Sequence, residues 1–394
     1  MTPPEEIRLL DGHWYTQDPH KHFAWMRAHA PVYRDEVGQV WGVAGYDELL
    51  RVSKDPETFC SRMSSRPDAP PIPSMINMDD PTHRRRRNLV NKGLTPRRVQ
   101  DHEPRIRAIC NALVDAVAAR GHCDFVREIA APLPMAVIGD LLGVEPEDRD
   151  MLLHWSDDLL ASTSSSATPA LMERVMHAFE QYAAYNRRVV ADRRARPRDD
   201  MMSTLVHAEI DGQRLDDEDL LQEGLLILVG GDETTRHVIT GGMEALVRNP
   251  DERRKLQANP ALLPTAVEEM LRWVSPIQNM NRTATRDVEV AGARIREGDK
   301  LLLLYPSANR DERVFPRADE FHVDREPNDH VAFGHGVHFC LGASLARLEL
   351  CVMFETLLAR LPDLELATGD PLPLRPSNFI VGIEEMPVVF TPAA

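Results

Sequence analysis

Through most of the first 270 residues apolar positions recur every three or four residues, the spacing of helices with one buried face. The stretch 20–30, HKHFAWMRAHA, sets Phe23, Trp25 and Met26 near one such face. The next segment, APVYRDEVGQVWGVAGY at 30–46, alternates instead and predicts a hairpin turning at Gly38. Helical patterns dominate from 81 to about 270, interrupted by ASTSSSATPA at 161–170 and RARPRDD at 194–200. Beyond Ser275 the period shortens. IQNMNRTATRDVEVAGARIREGDKLLLLYPS alternates and turns as short strands do, and LPLRPSNFIVGIEEMPVVFTP does so again near the C-terminus. RPDAPPIP at 66–73 predicts an extended loop, either plain surface or the lining of a pocket. With no repeat, low-complexity tail or clear linker, residues 1–394 predict one domain, mainly α with minor β-sheets.

Composition narrows the function. A net charge of −16 lacks the basic footprint of a nucleic-acid binder. The longest apolar patches, LLILV at 225–229 and LLLL at 301–304, are far shorter than the ~18 residues of a membrane span, and MTPPEEIRLLDGHWY shows no signal-peptide core. Five cysteines, odd in number and widely spaced, form no disulfide framework and fit a reducing cytoplasm. Without a C-x-x-C pair, structural zinc is a poor reading.

Four stretches carry candidate chemistry. VAFGHGVHFCLGASLARLEL, at 331–350, places Cys340 between glycine-rich turns and a helical pattern. A buried cysteine is ordinarily an inert small hydrophobe, but at a helix N-terminus free N–H groups favour a thiolate, and glycines admit a flat partner. LLILVGGDETTRHVITGG, at 225–242, lies in a helix predicted from about Glu218 to Arg248, roughly 45 Å long. Gly230 and Gly231 near its middle each cost about 1 kcal/mol against alanine, which a local opening or a close-lying flat ligand would offset. A helix restarted by polar caps is the plainer reading. EEMLRW, at 268–273, places Glu269 and Arg272 on one face, with Arg325 supplied by a later loop. In DDPTHRRRRNLVNKGLTP, at 79–96, His83 and Arg87 share a helix face that suits carboxylates, or belong to a solvated basic surface.

Together these stretches resemble the cytochrome P450 family of haem-thiolate monooxygenases along essentially the whole chain. Phe333-Gly334-x-Gly336-x-His338-x-Cys340-x-Gly342 is similar to the family's haem-binding loop at every fixed position, and Gly230-Gly231-x-Glu233-Thr234 to its oxygen-activation motif, with Gly where many members have Ala. The resemblance implies the cytochrome P450 fold with its long central helix, haem b as cofactor, and Cys340 as the iron ligand. It implies His83, Arg87, Arg282 and His338 as partners of the haem propionates, Glu269, Arg272 and Arg325 as a structural ion-pair network, and Thr234 with Glu233 as the catalytic pair that delivers protons to O2. APLPMAVIGDLLGV, LLILVGGDETTRH, LRPSNFIVGIEEMPVVFTP and MINMDDPTHRRRRNLVNKG are similar to actinobacterial sterol side-chain hydroxylases. That likeness implies oxidation of the terminal methyl, C26 or C27, of cholesterol or cholest-4-en-3-one.

No NAD(P)H or flavin motif is visible, so the resemblance implies electrons from a ferredoxin and its NAD(P)H-dependent ferredoxin reductase. Arg84, Arg85, Arg86, Arg97, Arg98 and Arg347 are the candidate docking cations. Met75, Met78, Leu226, Val229, Gly230, Ile277 and Val381 are the candidate pocket residues. The alternatives are a tailoring hydroxylase of a polyketide or carrier-bound natural product, and a haem gas sensor, which has no need of the Glu233–Thr234 pair.

Overall fold

The structure, a computed structural model, describes residues 6–162, 168–210 and 212–393; half of the 161–170 interruption lies outside them. Six helices position the site: α1 (Thr82–Val90), α2 (Pro132–Leu142), α3 (Arg149–Ala161), α4 (Asp217–Arg248), α5 (Leu263–Val274) and α6 (Ala343–Arg360). The longest, α4, starts at a capping box: Asp216 accepts from the Asp219 N–H at 2.8 Å, and Asp219 accepts from the Asp216 N–H in return. Acidic residues fill its first turn, where the helix dipole favours them. At 32 residues it is about 48 Å long, and it packs against α2, α3, α5 and α6. The predicted span is observed within one residue at its N-terminus.

The predicted loosening at Gly230–Gly231 does not occur; α4 is helical throughout, neither opened nor restarted there. The two glycines have different causes. A Cβ on Gly231 would lie 2.3 Å from Ile138 Cδ1, so α2 approaches α4 too closely for a side chain. A Cβ on Gly230 would meet nothing within 4 Å, because that position faces a cavity.

The strands follow the sequence pattern closely. β1 (Val32–Asp35) and β2 (Val40–Val43) form the predicted hairpin, although the left-handed residue of its turn is Gln39 rather than Gly38. With β3 (Phe59–Cys60), β4 (Asn279–Ala284) and β5 (Lys300–Leu304) they make one sheet in the order β1-β2-β5-β4-β3. Only the β2–β5 pair is parallel. Leu301, Leu302, Leu303 and Leu304 of β5 are all buried, since this strand is covered on both faces. The C-terminal segment yields one short strand, Pro387–Val389, and two isolated bridges, Ile277 with Ile380 and Leu374 with Ile383.

Candidate active site

The Cys340 loop is shaped by backbone geometry. Gly334 and Gly336 both adopt positive φ, and a Cβ on Gly336 would lie 2.4 Å from the Ser53 carbonyl oxygen, so no other residue fits there. The Cys340 N–H donates to the Phe333 carbonyl at 2.9 Å, folding the loop back on itself. Burial pushes the Cys340 thiol up, opposed by backbone hydrogen bonds from Gly342 and Ala343 and by the charges of Arg87 and Arg347. The helix N-terminus expected behind the sulfur is therefore present. Gly342 itself has open space around its Cα.

Facing the loop is a largely apolar cavity of about 1240 Å³, part of it open to solvent. Leu226, Gly230 and Thr234, one helical turn apart, line it from α4; Phe333, Leu345 and Ala346 line the opposite wall. The Thr234 hydroxyl donates to the Gly230 carbonyl at 3.0 Å. Of the five cysteines, only Cys340 is flanked by lining residues, Phe339 and Leu341.

One rim of the cavity gathers basic side chains. His83, Arg87, Arg282 and His338 all line it, with the two imidazole rings 4.1 Å apart. Among the described residues neither guanidinium has a carboxylate partner: Arg87 donates to the carbonyls of Val337 and Phe339, and Arg282 to that of Asn281. His338 Nε2 is buried without a hydrogen bond. Burial, with Arg282 next, lowers the His338 imidazole to about 3. Left without an anion, the buried Arg282 guanidinium costs several kcal/mol. A doubly anionic planar ligand whose metal Cys340 would hold meets that demand, and the residues present fit haem.

Other expected residues lie elsewhere. Val229 is off the 226–230–234 stripe and outside the lining. Met78 also lies outside; its backbone is hydrogen-bonded to His338. Val381 is outside as well, its N–H donating to the Pro276 carbonyl at 3.0 Å. The 66–73 loop does not reach the cavity, but the turn after it contributes Met75 and Ile76, and Ile277 lines as expected. Glu233 does not face the cavity either; it is fully buried among Arg236, His237 and Arg375. Pattern reading missed Tyr305 and Glu349, which line the cavity from distant segments; Glu349 has a buried oxygen without a partner. Arg86 turns inward to Asp219 and Glu223 and leaves the docking set; Arg347 pairs with Glu268 at 2.7 Å but keeps more than a third of its side chain exposed. The expected network is present in full: Glu269 holds Arg272 at 2.7 Å and Arg325 at 3.0 Å, all three buried.

Glu223 fastens the cavity's entrance turn, accepting the Met75 N–H at 2.8 Å and Arg86 at 3.3 Å. Burial pushes its carboxyl up to about 7. A folded pKa above the unfolded 4.5 contributes stability that is complete below pH 4.5 and lost as pH rises through 7. Relative to Glu223→Gln, which keeps the acceptor but not the titration, the native chain should lose up to about 3 kcal/mol between those limits, at about 1.4 kcal/mol per pH unit. Parallel urea titrations of the two proteins across pH 4.5–7.5 measure this; coincident pH slopes would contradict it.

Residues 16–388 match the family model for cytochrome P450. The chain belongs to the cytochrome P450 family. Membership brings a haem-thiolate cofactor, which the cavity, the unpaired guanidiniums and Cys340 accommodate. The steroid C26-monooxygenases of Mycobacterium tuberculosis and Mycolicibacterium smegmatis are 52% and 51% identical to this P450, covering 100% of the chain and 99% and 98% of the relatives. A methyl-branched lipid omega-hydroxylase of Mycobacterium tuberculosis is 36% identical, over 99% of the chain and 97% of the relative. Among solved structures, a Bacillus megaterium P450 in complex with testosterone superposes with a TM-score of 0.88 at 35% identity, covering 95% of this chain and 98% of that one. No helix among the described residues is long and apolar enough to cross a membrane.

Proposed function

We propose that this P450 hydroxylates, and then further oxidises, the terminal side-chain methyl, C26 or C27, of cholesterol or cholest-4-en-3-one. The observation that carries the reading is full-length identity of 52% to a steroid C26-monooxygenase. A relative named for omega-hydroxylation of a methyl-branched lipid shares the same chemical theme, oxygen placed at the end of a branched alkyl chain. The apolar lining supports a hydrocarbon substrate with few polar anchors.

Cys340 would hold the iron of haem b, and His83, Arg87, Arg282 and His338 its propionates; so held, it would supply an oxidant strong enough for an unactivated C–H bond. Thr234, on the cavity wall, would hold a proton donor at its hydroxyl. Glu233 resupplies that proton from outside the cavity. Leu226, Gly230, Ile277 and Met75 bound the space in which the side chain lies and exclude water from it. Electrons come from a ferredoxin and its reductase, docking near the exposed Arg84, Arg85, Arg97 and Arg98. Five unpaired cysteines support a cytoplasmic setting.

Titrating the ferric holoprotein with cholest-4-en-3-one tests the substrate. The expected result is a low-to-high-spin shift of the Soret band, with C26- or C27-hydroxylated product once electrons are supplied. Absence of both would reject the sterol reading and leave the family assignment standing.

A further inference from the structure

Packing explains only one of the two consecutive glycines in the middle of α4. A Cβ on Gly231 would lie 2.3 Å from Ile138 Cδ1, and Ile138 itself lines the cavity, so its side chain fills the space that residue 231 gives up. A Cβ on Gly230 would meet nothing within 4 Å. The helix is regular here and Gly230 is not among the glycines of positive φ, so the backbone requires no special residue at this position. Glycine inside a regular helix is less stable than alanine, because it gives up more backbone freedom on folding. Among the described residues no contact recovers that loss; the position faces the cavity.

The result is a notch in the cavity wall one helical turn, about 6 Å along the axis, from Thr234. Leu226 and Ile227 stand one turn before it, and Ile138 occupies the neighbouring position. The backbone offers the notch no polar anchor. The Gly230 carbonyl accepts the Thr234 N–H within the helix and the Thr234 hydroxyl at 3.0 Å, which engages both of its lone pairs. A hydroxyl placed there would forfeit its hydrogen bonds, whereas an alkyl group gains by leaving water. The space one Cβ would take is the space of one methyl group. The proposed substrate has such a group to house. Its side chain ends in an isopropyl group, so when one terminal methyl is presented for oxidation the other must lie beside it. A straight chain end carries no second methyl.

We propose that Gly230 is a specificity-determining residue, whose missing side chain receives the second methyl of a branched chain end and so selects iso-branched substrates over straight ones. The proposal rests on the reading of this P450 as an oxidase of the terminal side-chain methyl. Alanine at 230 would put its own methyl where that of the substrate lies, and the chain end would have to withdraw from the level of Thr234 or turn. One methyl or methylene in an apolar pocket sets a discrimination of about 10–200-fold. The competing use of the same space is room for O2. That use predicts a loss on every substrate alike, branched or straight.

The test compares haem-loaded wild type with Gly230→Ala on two ligand pairs, each differing by one branch methyl: cholest-4-en-3-one with its 27-nor analogue, and 14-methylpentadecanoic acid with pentadecanoic acid. Spin-shift titration of the Soret band gives Kd, and product per NADPH gives coupling. Wild type should favour the branched member, and Gly230→Ala should lower the branched-to-straight preference by about tenfold or more. The ligand-free variant should also unfold at a Tm about 1–2 °C higher, since alanine strengthens the helix and meets no neighbour. Absence of a branched preference from both pairs in wild type overturns the proposal. So does a preference that alanine leaves unaltered; if both members then lose coupling equally, the space serves O2. A lowered Tm overturns it as well, by showing that the fold itself requires glycine. A branched preference with the fatty acids, lost in Gly230→Ala, without a response to either sterol would instead reject the sterol reading and leave the role of Gly230 standing.

Discussion

Cys340→Ser protein, loaded with haem and reduced under carbon monoxide, should lack the red-shifted absorption band of thiolate ligation, and its hydroxylase activity should fall to background. The physical ground is the acidity that the loop is built to impose on one atom. Two backbone N–H groups at the start of α6 and the charges of Arg87 and Arg347 all favour a negative sulfur, and a coordinated metal completes its deprotonation. A serine hydroxyl in the same place keeps its proton, so the electron push that a thiolate would supply to the iron would be lost. Haem content should fall only in part, because His83, Arg87, Arg282 and His338 still face the propionate end. That separation of ligation from retention makes the result interpretable: pyridine haemochrome measures what is bound, and the carbon monoxide spectrum measures how. A retained thiolate band would require another cysteine, and Cys60, Cys110 and Cys123 are buried in packed surroundings away from the cavity. Burial also holds the Cys351 thiol near 11, with Glu268 and Glu355 adding to the effect.

What could be read ahead of the structure was whatever depends on neighbours close in sequence. The Cys340 loop, the 217–248 helix, the β4–β5 strands and the Glu269–Arg272 pair each encode their geometry within a few residues, through glycine φ angles, helical spacing or alternation. Arg325 joined the pair correctly because the family motif carried it. The misplacements share another cause: each was settled by a partner far along the chain. Glu233 turns from the cavity toward Arg375, 142 residues away. Arg86 leaves the basic surface for Asp219 and Glu223, more than 130 residues on. Glycine likewise signalled a special backbone environment at 230–231, but only the approach of Ile138 shows that one of the two serves helix packing rather than loosening. Val229 shares a helix face with Leu226 by spacing, yet only the structure shows that the lining runs through Ile227, Gly231 and Thr235 instead. Tyr305 and Glu349 carried no pattern signal, because they reach the cavity from segments whose residues nearby in sequence are ordinary core.

Arg272→Leu should prevent recovery of folded, haem-loaded protein, with Arg272→Lys rescuing only a small fraction. Arg272 is fully buried and is among the largest side chains with no exposure. Its guanidinium meets Glu269 through two parallel bonds of 2.7 and 2.8 Å, and donates further to the carbonyls of Asn309, Ala318 and Glu320 at 2.8, 2.9 and 3.1 Å. Removing one member of such a pair costs about 3–5 kcal/mol, because the partner's charge stays buried. Each stranded carbonyl adds about 1–3 kcal/mol. Against a total stability of about 5–15 kcal/mol the sum is disabling. Lysine keeps the charge but not the planar fork that reaches five acceptors at once. The damage reaches the active site by a traceable route. Arg272 fixes the Asn309 carbonyl; Asn309 in turn accepts the Val331 N–H at 2.7 Å, and the Val331 carbonyl accepts the Gly334 N–H, the first turn of the Cys340 loop. Haem loading should therefore be lost more steeply than helicity. Glu269→Gln tests the same link with less disruption, retaining shape and acceptor while removing the charge shared by Arg272 and Arg325. Comparing haem content with far-ultraviolet circular dichroism for the three variants decides the matter. Arg272→Leu protein with wild-type haem content and an unchanged Tm would show that the network is dispensable and that the loop is held by other means.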